Sequence, residues 1–134
     1  MAFVNRADAQ AWLDRYVAAW LSYDANDIAA LFTEDVVYRY HPYDDPLVGR
    51  EAVVASWLGE SDSDDASTRD APGTYAARYE PVAVDGDVVV ATGTSTYREQ
   101  HEGPIVRIYD NCFVMRFAGE GRCKEFTEYY LRRP

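Results

Sequence analysis

The chain has 134 residues, 48% hydrophobic and 14% aromatic, and a formal net charge of −10 at pH 7. So acidic a chain is a poor partner for nucleic acid or an anionic membrane, which both need a basic patch, and self-repulsion keeps it dispersed. The length fits one domain over residues 1–134, with room for one core and a modest internal cavity.

Eleven tyrosines are too many for plain core. Some are expected on a surface that is both apolar and hydrogen-bonding, such as a ligand cavity or an interface. No run is long and apolar enough to span a membrane. The start, MAFVNRADAQ, lacks the basic and apolar segments of a secretion signal, so a cytoplasmic location is the expectation. Two histidines and two scattered cysteines give no zinc spacing, and no metal or cofactor is implied. Cys112 and Cys123 are read as free, buried small hydrophobes, because they lie several residues apart along the two arms of a hairpin.

In chain order, Asn5 reads as a helix cap with Asp8 in the first turn. Leu13, Tyr16, Val17 and Trp20 follow with the spacing of one helical face, widened by Trp12, Ala19 and Tyr23. This helix should run to about Tyr23. Asp24 caps a short second helix, Ala25 to Phe32, with Ile28, Leu31 and Phe32 inward. Thr33, Glu34 and Asp35 break it, and Val36 to Tyr40 form a strand ended by His41 and Pro42. Residues 43–48 read as loop. Gly49 opens a third helix through Leu58, stopped by Gly59. The acidic, Ser/Asp-rich stretch 60–73 reads as a mobile loop, a solvated lip or a lid. Tyr75–Val84 and Asp87–Glu99 form two strands around a turn.

The last segment, 104–132, reads as two long strands joined by a turn at Ala118-Gly119-Glu120-Gly121. Arg107, Tyr109, Asn111, Phe113, Met115 and Phe117 share one face of the first, opposite Ile108, Asp110, Cys112, Val114 and Arg116. The second sorts into Lys124, Phe126, Glu128 and Tyr130 against Cys123, Glu125, Thr127, Tyr129 and Leu131. Both faces are half apolar, so both need cover. The expected fold class is α+β: a curved, mostly antiparallel sheet wrapped around about three N-terminal helices. A homodimer through the outer face, at Ile108, Cys112, Val114, Tyr129 and Leu131, would cover the other side.

RYVAAW (15–20), DIAALFTEDVVYRYHP (27–42), GREAVVASW (49–57) and FVMRFAGEGRCKEF (113–126) together resemble the nuclear transport factor 2-like superfamily. This is the cone-shaped α+β barrel fold of SnoaL-like polyketide cyclases, ketosteroid isomerase and limonene epoxide hydrolase. The resemblance implies a deep apolar pocket between helices and concave sheet, commonly in a dimer. It places Tyr16 where ketosteroid isomerase keeps an oxyanion-hole tyrosine. That enzyme's catalytic aspartate falls on Tyr40 and its second acid on Phe113. Two of three catalytic groups are thus absent, which argues against steroid isomerisation by that mechanism. The Asp-Arg-Asp set of limonene epoxide hydrolase has no equivalent here, since Arg107 and Asp110 face opposite ways.

Glu128, between Phe126 and Tyr130, is the sharpest catalytic candidate. A carboxylate walled by aromatics is desolvated, which suits a general acid or base. Otherwise it is a structural carboxylate, paired with Arg107 or capped by a tyrosine hydroxyl. Tyr16 is either an oxyanion donor or a core tyrosine. Tyr40 is a further donor candidate, and His41 either a proton shuttle or a satisfied strand-end group. Trp20, Phe32, Tyr38, Trp57, Arg107, Asn111, Phe113, Met115, Phe126 and Tyr130 are the candidate ligand-binding residues. Two functions remain open. One is a cofactor-independent isomerase, cyclase or hydrolase acting on a small, largely apolar, oxygenated compound. The other is a non-catalytic ligand-binding or protein-interaction module on the same fold.

Overall fold

In the computed structural model, which describes residues 4–59 and 70–134, capping chemistry sets the first two helices. The Asn5 side chain accepts the Asp8 backbone N–H at 2.7 Å and starts α1, Arg6–Ser22. Tyr23, in the left-handed region at φ 51°, ends it by donating its N–H to the Ala19 carbonyl. The Asp24 carboxylate accepts from Asn26 and Asp27 and starts α2, Ala25–Ala29. Ala9, Trp12, Leu13, Tyr16 and Ala19 form the buried stripe of α1.

Helix α2 is shorter than its apolar pattern suggests, and Phe32 begins β1, Phe32–Arg39, instead of ending the helix. The reason is a stronger use for the backbone: the Leu31 carbonyl accepts the Cys123 N–H at 2.9 Å, and Phe32 pairs with Cys123. Tyr40 lies just past the strand. Within the expected 43–48 loop, Leu47–Val48 forms a short β2 against Val37 and Tyr38. Helix α3, Arg50–Leu58, follows Gly49 at φ 97° and ends at Gly59.

The remaining strands are β3, Tyr75–Asp85; β4, Val88–Arg98; β5, Ile105–Phe117; and β6, Cys123–Arg132. The order across the six-stranded sheet is β2-β1-β6-β5-β4-β3. Among the described residues only β1–β6 is parallel; the other pairs are antiparallel. The sheet curves around the helices without closing, a cone-shaped α+β fold. Its concave face packs on α1 around Trp12, whose indole N–H donates to the Leu31 carbonyl at 2.9 Å.

The hairpin alternation holds with one shift. Phe113 pairs with Glu128 and Met115 with Phe126, but a bulge after Arg116 sets Phe117 opposite Cys123. The extra residue reverses parity at the start of β6. Cys123 is therefore fully buried and Lys124 faces out, the reverse of the simple alternation. Both cysteines are free, and Cys112 is half-buried instead of buried. Residues 60–69 of the acidic stretch lie outside the described residues.

Candidate functional site

A cavity of about 350 Å³ opens between α1, the turn after β1 and the concave sheet. Tyr16 and Trp20 enter it from α1, and Tyr38 and Tyr40 from β1 and its end. Strands β3 and β4 supply Tyr75, Tyr79, Ser95 and Tyr97. Strands β5 and β6 supply Arg107, Tyr109, Asn111, Glu128 and Tyr130, and Asp70 closes one side. Eight tyrosines thus share one hollow.

Glu128 is the carboxylate on the β6 wall of this ring. It is half-buried at a cavity that reaches solvent, yet protein surrounds its carboxyl group closely. Burial pushes its pKa up from 4.5 to about 7, and a hydrogen bond from the Asn111 side chain pulls the other way. Asn111 is itself held by Ser95, whose hydroxyl donates to Asn111 Oδ1 at 3.1 Å. Ser95 leaves the Asn111 amide NH₂ free to serve the carboxylate. Arg107 is exposed at the mouth with its guanidinium 4.6 Å from the Tyr97 ring centre. Among the described residues no ion pair joins it to Glu128.

Burial raises the phenol pKa of Tyr16 and Tyr38 well above the ordinary value; the charge of Tyr38 adds to the shift at Tyr16, that of Tyr40 to the shift at Tyr38, and that of Glu128 to both. Tyr75, Tyr79 and Tyr97 shift the same way for the same first cause. Tyr40 is pushed up to about 12 by burial, against a hydrogen bond with Ser56 of 2.8 Å. All are therefore neutral phenols near pH 7: they can donate a hydrogen bond but cannot act as bases. Tyr38 Oη and Trp57 Nε1 are buried without a well-formed hydrogen bond. Tyr16 and Trp57 do come close enough to the Tyr38 hydroxyl to offset part of its shift.

Five of the expected ligand-binding residues stand behind the wall instead of in it. Phe32, Trp57, Phe113, Met115 and Phe126 are at most 2% exposed and do not line the cavity. Strand parity does turn Phe113, Met115 and Phe126 inward, but Phe113 and Phe126 lie behind the rings that form the wall. Phe126 stacks on Tyr38 at 4.7 Å, and Tyr16 stacks on Phe126 at 5.7 Å. Phe113 meets Tyr79 at 4.5 Å, and Tyr79 takes the cavity surface. His41 does not line the hollow either; its Nε2 lies 2.6 Å from the Tyr130 hydroxyl and its Nδ1 2.8 Å from Asp44 Oδ2.

Asp70, Tyr75, Tyr79, Ser95, Tyr97 and Tyr109 line the cavity without having been singled out from sequence. Tyr75 and Tyr79 sit four apart on β3, and Ser95 and Tyr97 two apart on β4, so alternation offered a signal for both pairs. Asp70 offered none. It reaches the site by accepting from Trp20 Nε1 at 2.9 Å and from the Tyr23 hydroxyl at 3.3 Å. Among the described residues no group of three or more His, Cys, Asp or Glu is arranged to hold a metal ion, and no helix is long and apolar enough to cross a membrane.

The sequence profile of the SnoaL-like domain matches residues 13–126, which span α1 to the middle of β6. The chain belongs to the SnoaL-like domain family. Solved structures agree on the fold. A Kribbella flavida protein provisionally assigned as a ketosteroid isomerase superposes with TM-score 0.65 at 14% identity, over 96% of this chain and 82% of that one. An LEH-like epoxide hydrolase of M. tuberculosis gives 0.61 at 14% identity, over 94% and 84%. An NTF-2 like protein of unknown function from Burkholderia xenovorans gives 0.64 at 14% identity, over 96% and 88%. No curated protein matches. At these identities the likeness is one of fold, and this SnoaL-like chain's chemistry has to be argued from its own cavity.

Proposed function

We propose that the cavity binds a small, largely apolar, oxygen-bearing compound, and that Glu128 moves a proton on it without a cofactor. The observation that carries this reading is the place of the Glu128 carboxyl on the wall of the tyrosine-lined cavity, where burial lifts its pKa to about 7. A carboxyl poised there is as ready to take a proton as to give one at neutral pH. The phenols supply the other half of the chemistry. As the base removes a proton beside a carbonyl, negative charge builds on the oxygen, and hydrogen-bond donors aimed at it lower the barrier. Tyr16 and Tyr38 suit that role. Tyr40, the earlier candidate, already shares its hydroxyl with Ser56. The Tyr38 hydroxyl is buried and lacks a well-formed bond, so a ligand oxygen there would relieve a cost of about 1–3 kcal/mol.

The position of the acid differs from the ketosteroid isomerase pattern in a specific way. Phe113, on which that enzyme's second acid falls, faces Glu128 directly across β5 and β6. A carboxyl thus enters from the neighbouring strand. With a phenol of pKa about 12 at position 40, proton shuttling has to run through Glu128. The reaction class is proton abstraction or delivery next to a carbonyl or hydroxyl, as in isomerisation, cyclisation or hydrolysis. A dimer through the outer sheet face, where Val114, Tyr129 and Leu131 are exposed, belongs to the same proposal.

Hydrogen–deuterium exchange tests it without a known substrate. A panel of small aromatic and bicyclic ketones is incubated in heavy water with the protein. Catalysed loss of the hydrogens next to the carbonyl, abolished in Glu128→Gln with the fold intact, supports the reading. Equal exchange in both proteins removes the base. The second reading, a binding module without catalysis, is favoured by the non-acidic Tyr40 and Phe113, and predicts ligand affinity unchanged by Glu128→Gln.

A further inference from the structure

At the cavity mouth, three side chains that the proton-transfer reading does not use form a chain. Asp44 Oδ2 lies 2.8 Å from His41 Nδ1, and His41 Nε2 lies 2.6 Å from the Tyr130 hydroxyl. The local sequence builds it. His41 follows β1, and the turn that closes with Asp44 N–H on the His41 carbonyl at 3.1 Å brings the Asp44 carboxylate back to the Nδ1 edge of the ring. Tyr43 stacks on the imidazole, 5.0 Å away and 13° from parallel, which fixes its plane. Tyr130 comes from β6, two residues beyond Glu128 on the same face, and lines the cavity.

The partners decide where the protons are. An ionised carboxylate only accepts, so the imidazole hydrogen sits on Nδ1. In the neutral ring Nε2 then accepts, and the Tyr130 hydroxyl must donate to it. With its proton committed to His41, Tyr130 offers the cavity only lone pairs. Protonating the imidazole reverses this: Nε2 donates to Tyr130, which is free to donate into the cavity. We propose that Asp44, His41 and Tyr130 form a hydroxyl-reading subsite, in which neutral His41 makes Tyr130 an acceptor for a ligand O–H and protonated His41 makes it a donor. The ligand class is an aromatic or bicyclic compound with a phenolic or alcoholic hydroxyl. This rests on the reading that the cavity takes a small molecule, and not on Glu128 acting as a base.

The side chains of His41 and Asp44 are 32% and 34% exposed, so protons reach the imidazole from bulk solvent. The groups facing it are Asp44 and Tyr43 from its own turn and Tyr130 from β6. Tyr109 of β5 and Glu128 act on Tyr130 in turn. Arg39 holds the Asp44 backbone carbonyl at 3.3 Å. Glu128 lines the same cavity with a pKa raised to about 7, so the test removes it.

In the full chain carrying Glu128→Gln, affinities for β-naphthol and for its methyl ether are compared at about pH 8 and about pH 5, with the protonation state of His41 read at each pH by NMR of its ring. The ether can accept a hydrogen bond but cannot donate one. The naphthol should bind roughly threefold to tenfold tighter than the ether at the higher pH, the worth of one hydrogen bond, and the two should be nearly equal at the lower. Adding Tyr130→Phe should make them equal at both. A preference that ignores pH, or that survives Tyr130→Phe, overturns the subsite while leaving the role of Glu128 standing. Long-range proton–nitrogen NMR gives a ligand-free check: the hydrogen is expected on His41 Nδ1 and redistributed in Asp44→Asn. A hydrogen on Nε2 overturns the assignment.

Discussion

Asn111 reaches from β5 to the Glu128 carboxylate on β6, two residues along the strand from directly opposite, and among the described residues its hydrogen bond is the one that stabilises the ionised form against burial. Ser95 fixes the asparagine amide so that its oxygen is occupied and its NH₂ is available. Removing that amide should leave desolvation unopposed. In Asn111→Ala the Glu128 pKa is expected to rise further above about 7, read by carbon-13 NMR of the carboxyl. A fall would mean that the amide is not serving the carboxylate.

The same shift makes a statement about stability. The folded protein holds the Glu128 proton to about 7, whereas the unfolded chain releases it near 4.5. Between those values the folded state binds more protons, so stability falls as pH rises through this window and stays low above it. Glu128→Gln should therefore be stabilising at pH 8 by about 2 kcal/mol, the full shift being discounted because the cavity opens to solvent. Near pH 4 the variant should match the wild type. Thermal melts at the two pH values measure this; a variant less stable at pH 8 would show that the ionised carboxylate is well solvated or paired.

Gly93 lets β3 and β4 approach where the wall is densest. A Cβ there would stand 2.0 Å from the Arg78 carbonyl oxygen and 2.8 Å from Tyr79 Cα, both backbone atoms that cannot step aside. Gly93→Ala is expected to cost about 2–4 kcal/mol and to displace Tyr79 from the cavity. Chemical denaturation measures the loss; a change under about 0.5 kcal/mol would contradict the close approach.

Phe126 supports the cavity from behind, stacked on Tyr38 and touching Trp12, Tyr16 and Phe113. Phe126→Ala should cost about 3–5 kcal/mol. It should also weaken binding of any aromatic probe, because Tyr38 and Tyr16 lose their backing. Full affinity in a destabilised variant would separate the core from the site.

Leu131 is 77% exposed beside Tyr129 on the outer face of β6. If that face pairs two chains, Leu131→Glu should convert a dimer to a monomer at micromolar concentration in sedimentation equilibrium. A wild-type monomer would remove the proposed interface.

Local signals carried much of this architecture. Asn5 and Asp24 announced two helix starts because a cap needs only its own next three residues. Alternation placed Glu128, Asn111 and Tyr130 on one face because strand parity is local until a bulge intervenes. Where a bulge did, after Arg116, the assignment of Cys123 and Lys124 inverted. The end of α2 was misplaced because Phe32 answers to Cys123, 91 positions away, and not to its helical neighbours. Depth was the larger blind spot. Parity says which face a ring is on, and does not say whether another ring covers it, so Phe113 and Phe126 look identical in sequence to the wall residues Tyr79 and Tyr38. Asp70 and Asp44 reach the site through a tertiary contact and a tight turn, and neither leaves a periodic trace.

The most direct test of the account is a carbon-13 NMR titration of the Glu128 side-chain carboxyl in the unmodified protein, assigned by comparison with Glu128→Gln. A desolvated acid at the tyrosine-lined wall predicts a midpoint near 7. A midpoint near 4.5, the value of a free glutamate, would mean that water solvates this carboxylate fully and that the cavity holds no poised base.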